Sequence, residues 1–319
     1  MARFIVRRIV HMLLVLWAIS VLVFLIFNVV PGGGTEGQVL RIAGRNANEV
    51  TREQVKKDYG FDQPMYVQYY EMMKKTLNGE LISYSDQRNV RDEIVKGIPA
   101  TASLVIGAGI IWLTVGVLFG VLSALYAGKF VDRFLTGLAM IGISMPVFWL
   151  GLVALYYLTY KIELFPPGGY VPLKEDPVDW AYHLMLPWMV LSVLFIGFYS
   201  RLLRTNVLDV ENEDYVRTAR AKGLSERQTL SRHTLRNAMI PIITLFGLDF
   251  GATFGGGAIL TESIFGLQGV GQYTAESIGA LDVPPIMGVV LYGAFFIVLL
   301  NTIVDILYAY LDPRIRLEA

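Results

Sequence analysis

TASLVIGAGIIWLTVGVLFGVLSALYA, residues 101–127, carries no charged side chain and is longer than the roughly 20 residues a helix needs to cross a bilayer core. A run this apolar cannot be one face of a soluble surface helix, because it has no polar stripe to turn toward water. Outward from it, five further charge-poor runs recur at 9–30, 134–160, 184–200, 238–261 and 286–311. The run ending at Ser200 is short, so its helix should begin further back, near Trp180, with His183 at the interface. Hydrophobic residues make up 54% of the 319-residue chain and charged ones 17%, with a mean hydropathy of +0.51. The prediction is an all-α integral membrane protein with six transmembrane helices, since an isolated segment in lipid must satisfy its own backbone.

Net charge is zero, so nothing in the bulk electrostatics attracts nucleic acid, and only the placement of charge is informative. Arg3, Arg7 and Arg8 precede the first run, and Lys129 and Arg133 lie between the second and third. Between the fourth and fifth runs come Arg201, Arg204, Arg217, Arg220, Lys222, Arg227, Arg232 and Arg236, and Arg314 and Arg316 close the chain. The loop at 262–285 holds no basic residue. Short loops rich in Lys and Arg stay in the cytoplasm, which puts both termini inside and the long first loop outside. The first apolar run exceeds a signal-peptide core and no A-x-A site follows, so it reads as an uncleaved span. Cysteine is absent, which excludes disulfides and thiol chemistry.

The division expected is 1–30 for the N-terminal tail and first span, 31–99 for an external loop subdomain, 100–311 for a five-span core that includes a cytoplasmic loop at 201–237, and 312–319 for the tail. Within the first loop, Thr51-x-x-Gln54 reads as a capping box and Gly60 as a stop for a helix over 52–59. A second helix should be capped by Asp62, hold Pro64 in its first turn, stop at Gly79, and present Met65, Tyr66, Tyr69, Tyr70, Met73 and Leu77 as its apolar face. Such a piece is either a lid packed on the membrane part or a surface in contact with substrate.

Gly247, Gly251 and Gly255 repeat every fourth residue, as do Gly116, Gly120 and Ala124. Small residues at that spacing let helices approach closely, against this chain or a second subunit. Polar residues inside the runs are Asn28, Asp249, Asn301 and Asp305. Asp249 is mid-span, and an acid there costs roughly 2.5–3.5 kcal/mol on insertion scales, so it lines a water-filled path or bonds a neighbouring helix. Asp305, nearer the span end, should pair locally.

The most informative loop is YVRTARAKGLSERQTLSRHTLRNAMIP, residues 215–241. Asp214 can cap a helix through Tyr215 to Lys222, Gly223 suits a left-handed stop, and Ser225-x-x-Gln228 is a capping box for a second helix. Basic residues stud the pair, while Ala219 and Ala221 are small enough for a partner's surface to approach the backbone. Headgroup attraction alone would require charge but no such order.

These residues resemble the cytoplasmic loop of permease subunits of ATP-binding-cassette importers, in the oligopeptide, dipeptide and nickel branch. That loop reads much like Ala219 to Leu224 (ARAKGL) and Arg232 to Pro241 (RHTLRNAMIP). GFDQP at 60–64, LFPPGGY at 164–170, ESIFGLQGVGQ at 262–272 and LDPRIR at 311–316 extend the likeness along the chain. The broader importer motif begins EAA, where Arg217 and Thr218 stand here, and Gly223 lies farther from Pro241 than in that motif. The resemblance implies a type I importer permease fold in a prokaryotic cell membrane. It implies an ATPase-coupling site at Tyr215, Arg217, Thr218, Ala219, Arg220, Ala221, Lys222, Gly223, Leu224, Arg232, His233 and Asn237. It also implies a homologous second permease, two cytosolic ATPase subunits that bind ATP and Mg, and an external substrate-binding protein.

This chain should carry no cofactor, metal or catalytic residue of its own: its one Gly-Lys pair, Gly128–Lys129, leads into Phe130 and not a phosphate loop. Its three histidines, His11, His183 and His233, sit on separate segments without a hydrolase motif, and His233 is expected to touch a partner. A secondary transporter would have paired broken helices; Pro146 and Pro187 interrupt two spans, but no inverted repeat accompanies them. A channel would leave the ordered loop without a purpose. Peptide is the cargo by resemblance, with nickel or oligosaccharide as the other family cargoes.

Overall fold

A computed structural model of the chain describes residues 2–29, 34–44 and 46–311. The tail at 312–319 and the side chains of Arg3 and Asp305 lie outside the described residues, and with them the expectations placed there. The described chain is helical apart from its connections and one isolated bridge, Ile82 to Asn89. In order come α1 (Ala2–Val29), α2 (Thr35–Ala43), α3 (Glu49–Asp58), α4 (Met65–Asn78), α5 (Val90–Leu125), α6 (Phe130–Ser144), α7 (Val147–Ala154), α8 (Pro177–Glu211), α9 (Asp214–Ala221), α10 (Glu226–Thr229), α11 (Leu235–Ala252), α12 (Ile259–Phe265), α13 (Val270–Ala280) and α14 (Val283–Leu311). Among the described residues five helices are long and apolar enough to cross a bilayer, and α6 with α7 makes a sixth crossing if that bent pair is counted as one.

α5 and α8 form the centre and run in the same direction. A Cβ on Gly116 would sit 2.9 Å from that of Tyr199, and one on Gly120 would sit 2.8 Å from that of Leu203. Trp112, Leu104, Leu184, Tyr199 and Leu203 are fully buried along this seam. Polar glue accompanies the packing: Trp188 Nε1 donates to the Ser103 carbonyl at 2.9 Å, and Ser192 Oγ to that of Ala108 at 3.0 Å. Both features are what helix association in lipid requires, because apolar area alone gives no drive there. The end where α5 and α8 start carries the subdomain of α2, α3 and α4, joined to the bundle by a small core of Phe24, Met72, Leu81, Val90, Val283 and Met287. The other end carries α9.

The third apolar run is not one helix. It bends by 99° between α6 and α7, because Met145 is extended ahead of Pro146, whose ring disfavours a helical predecessor and lacks an N–H. Pro187, by contrast, sits inside a continuous α8 and interrupts nothing. That helix starts earlier than Trp180, where Asp176 Oδ1 accepts from the N–H groups of Val178 and Asp179 at 2.9 and 3.0 Å, and it continues past Arg201 to Glu211.

In the first loop, α3 is capped by Asn48, whose Oδ1 takes the Thr51 N–H at 2.8 Å; Thr51 is already helical and donates its own hydroxyl to the same oxygen at 2.7 Å. Gly60 and Gly79 do end α3 and α4 with positive φ, but Asp62 makes no cap, since α4 follows Pro64 without a side-chain bond. The apolar face also differs. Met72 is buried, Tyr69 meets Phe24 edge-on at 5.4 Å and shares a 2.7 Å hydrogen bond with Ser20, while Tyr66, Tyr70 and Leu77 are exposed. α4 is therefore seated by the small patch that α1 can reach. α2 is a helix the sequence reading did not include; its flanking glycines and short length hide it.

Candidate functional site

At the end of the bundle opposite the α2–α4 subdomain, α9 lies between the last turn of α8 and the first of α10. Its inner face is apolar: Val216 and Ala219, three residues apart, are buried against the chain itself. Ala219 is thus buried by the chain itself, whereas Ala221 is exposed. Asp214 is the first helical residue and does not cap; the position before it, Glu213, makes no side-chain bond either. Gly223 has φ 83°, the left-handed stop that a Cβ would disfavour, and Ser225 with Gln228 closes a reciprocal capping box at 3.4 and 3.3 Å.

Two side-chain links hold α9 in register. Arg220 spans the Glu226 carboxylate, with Nε at 3.1 Å and Nη2 at 3.2 Å, and approaches Glu211 at 3.9 Å. Asn237 Nδ2 donates to the Tyr215 hydroxyl at 2.6 Å, tying α9 to α11. Arg217, Thr218, Ala221, Lys222 and Arg232 are exposed around this seat, and Leu224 and His233 are half-buried. The helix after Gly223 is also not a separate piece: α10 passes through a π-helical turn at Leu230–Thr234 into α11 and on to Gly257, one apolar element over Glu226–Gly257.

Beside this handle sits a buried cluster that the sequence reading missed. Arg204 grips Asp132 bidentately, Nε to Oδ1 at 2.7 Å and Nη2 to Oδ2 at 2.8 Å. Ser123 Oγ donates to Oδ1 and the Gly128 N–H to Oδ2 at 2.8 Å, so the carboxylate joins α5, α6 and α8. The signal was an acid in the first turn of an apolar run, with an arginine just past the next one.

Deeper in the bundle Asp249 is half-buried and accepts a hydrogen bond from the Tyr199 hydroxyl at 2.7 Å, across from α11 to α8. The glycine stripe next to it packs within the chain. A Cβ on Gly251 would sit 3.1 Å from Leu300, one on Gly247 would collide with Val304, and the backbones of Gly255 and Gly293 meet directly.

At the far end Glu262 is fully buried, accepting from Thr101 Oγ1 at 2.8 Å and from the Gln272 N–H at 3.0 Å. Burial pushes its pKa up, and those hydrogen bonds pull it partly back. Glycine is required opposite it, since a Cβ on Gly269 would collide with the carboxylate. The 164–170 motif docks on the same feature, with Gly169 N–H donating to the Phe265 carbonyl at 2.8 Å. Asp282 pins the α2–α4 subdomain to the bundle by accepting from the hydroxyls of Ser83 and Ser85 at 2.7 and 2.6 Å and from the Ser85 N–H at 2.9 Å. Among the described residues no group of three or more His, Asp or Glu could hold a metal ion.

The model of the binding-protein-dependent transport system inner membrane component matches residues 116–317, and that of its N-terminal part matches 1–105. The oligopeptide transport system permease protein AppB of Bacillus subtilis is 35% identical over 99% of this chain and all of its own length. A peptide transport system permease of Brucella abortus is 34% identical over the whole of both chains. The glutathione transport system permease GsiC of Escherichia coli is 33% identical over 99% of each. Among solved structures, a chain of the MetNI methionine ABC transporter in an inward-facing form superposes with a TM-score of 0.54 at 16% identity, over 69% of this chain and 96% of that one.

Proposed function

The chain belongs to the binding-protein-dependent transport inner membrane components, the permease subunits of ATP-binding-cassette importers, and we propose that its cargo is a di- or oligopeptide. As a permease subunit it is a multi-pass membrane component of a transporter, not an enzyme. In this reading it forms half of a translocation pathway in a prokaryotic cell membrane. A homologous permease supplies the other half, two cytosolic ATPases bind ATP and Mg, and an external binding protein delivers the peptide. Lys129, Arg133 and the basic residues of 201–236 support a cytoplasmic α9 end and an external α2–α4 subdomain.

The observation that carries the coupling role is that α9 continues from α8, with Arg220 3.9 Å from Glu211, and is bonded to the α10–α11 element through Glu226 and Asn237, while its basic outer face is open. An ATPase groove that takes Arg217, Thr218, Ala221 and Lys222 would move α8 and α10–α11 together. Arg204 would pass the displacement to α6 through Asp132. Because α10 and α11 are one element, the same displacement reaches Asp249, which we place on the pathway as a partner for a peptide's ammonium group.

Purification of the native complex in mild detergent, with mass spectrometry of its subunits and of whatever the binding protein holds, tests this. ATPase subunits and short peptides are expected. Nickel or an oligosaccharide in the binding protein would overturn the cargo, and a chain that moves solute without any ATPase would overturn the coupling.

A further inference from the structure

The α2–α4 subdomain, the end of α1 and the segment after α4 line an open cavity of about 520 Å³, within the size range of small-ligand sites. Phe24 and Asn28 at the end of α1 form its floor with Met72 and Leu81. One wall is aromatic: Tyr59 stacks on Phe61 with centroids 5.9 Å apart, and Tyr84 meets both edge-on at 5.1 and 5.7 Å. The rim carries both signs of charge, Lys57 and Lys75 beside Asp58, Glu71 and Glu80. Into this space α2 brings Gln38, only 4% exposed, whose amide Nε2 has no hydrogen-bond partner among the described residues. Two neighbouring glutamines behave differently. Gln68 donates to the carbonyls of Phe61 and Gln63, and Gln87 to the Tyr59 hydroxyl and the Tyr84 carbonyl, so their amides are spent on the wall itself. A buried donor left unpaired costs free energy that a bound acceptor would recover.

We propose that this cavity is a binding site for a short peptide with free ends, with the Gln38 amide donating to a peptide carbonyl. The rim carboxylates take the ligand's ammonium group, Lys57 and Lys75 its carboxylate, and the aromatic wall one apolar side chain. The chemistry of the walls selects this class. An apolar ligand would leave the rim and Gln38 unpaired, a simple anion would face three carboxylates, and a simple cation would face two ammonium groups. A zwitterion with carbonyls between its charged ends satisfies all of them. The inference rests on the peptide reading of the cargo and deepens it, since it gives the permease a peptide contact of its own outside the membrane.

The test is calorimetric titration of the assembled transporter, prepared without its binding protein, with trialanine and with the same peptide acetylated and amidated. Saturable binding of trialanine is expected, weakened about tenfold or more by capping the ends and likewise by Gln38→Leu. Should Gln38→Leu fail to fold, Asp58→Asn, Glu71→Gln and Glu80→Gln together, all exposed, should erase the preference for a free amino terminus. Absence of trialanine binding, or affinities unmoved by these changes, would overturn the site. Peptide uptake by a complete transporter whose cavity ignores trialanine would sink the site and leave the cargo reading standing. Binding here in a transporter that imports no peptide would do the reverse.

Discussion

Arg204 and Asp132 show how a buried acid and a half-buried arginine can stiffen a joint. The guanidinium fork matches the carboxylate geometry, and Ser123 and Gly128 satisfy the remaining lone pairs, so neither charge is left uncompensated. Arg204→Leu should therefore cost about 1–3 kcal/mol in detergent denaturation, because it removes the cation opposite a buried acid that keeps its Ser123 and Gly128 bonds. Adding Asp132→Asn to that variant should recover part of the loss. Glu262 behaves differently. Its folded pKa is raised by burial above the unfolded value, so the stability it contributes is complete below the unfolded pKa and is lost as pH rises through the folded one. The thermal unfolding midpoint of the wild type should fall as pH rises past the ordinary glutamate pKa, and Glu262→Gln should flatten that fall. These residues lay inside motifs or at run edges that the sequence displayed, but their partners are distant in the chain, 72 and 161 positions away. Residue type announces a buried charge; only the fold names what pairs with it.

Elements were legible where their signals are local. Gly223, Gly79 and the Ser225–Gln228 box mark ends that need nothing beyond neighbouring residues. The break at Pro146 was visible as a proline, yet hydropathy runs unbroken across it, so the run reads as one span when it is two helices at 99°. Likewise the face of α4 could not be assigned from periodicity, since α1 chooses which side is covered. The glycine stripe announced close packing while its spacing is the same for any partner; α14 is the partner it has here. Gly293→Ala should force α14 away from the Gly255 carbonyl and lower the yield of assembled complex in size-exclusion chromatography. Gly137→Ala, on α6 with open space around it, should be neutral or stabilise by up to about 1 kcal/mol in the same preparation.

At the scale of the whole molecule, α5 and α8 run alongside each other, α11 returns between them and α14, and a single short helix bridges the ends of α8 and α10. In the proposed coupling, force on α9 would reach α8 and the α10–α11 element directly and α6 through Asp132. The ordered loop and its basic face were readable in the sequence. What could not be read was that α9 uses Ala219 for its own seat and that the following helix is the start of a span. The most direct test is ATP-driven uptake by proteoliposomes holding the complete complex with Ala221→Trp, a bulky side chain on the exposed face of α9 that leaves Val216, Ala219 and Arg220 in place. The account predicts uptake reduced to the level seen without ATP, with the two permeases still assembled. Uptake at the wild-type rate would contradict it.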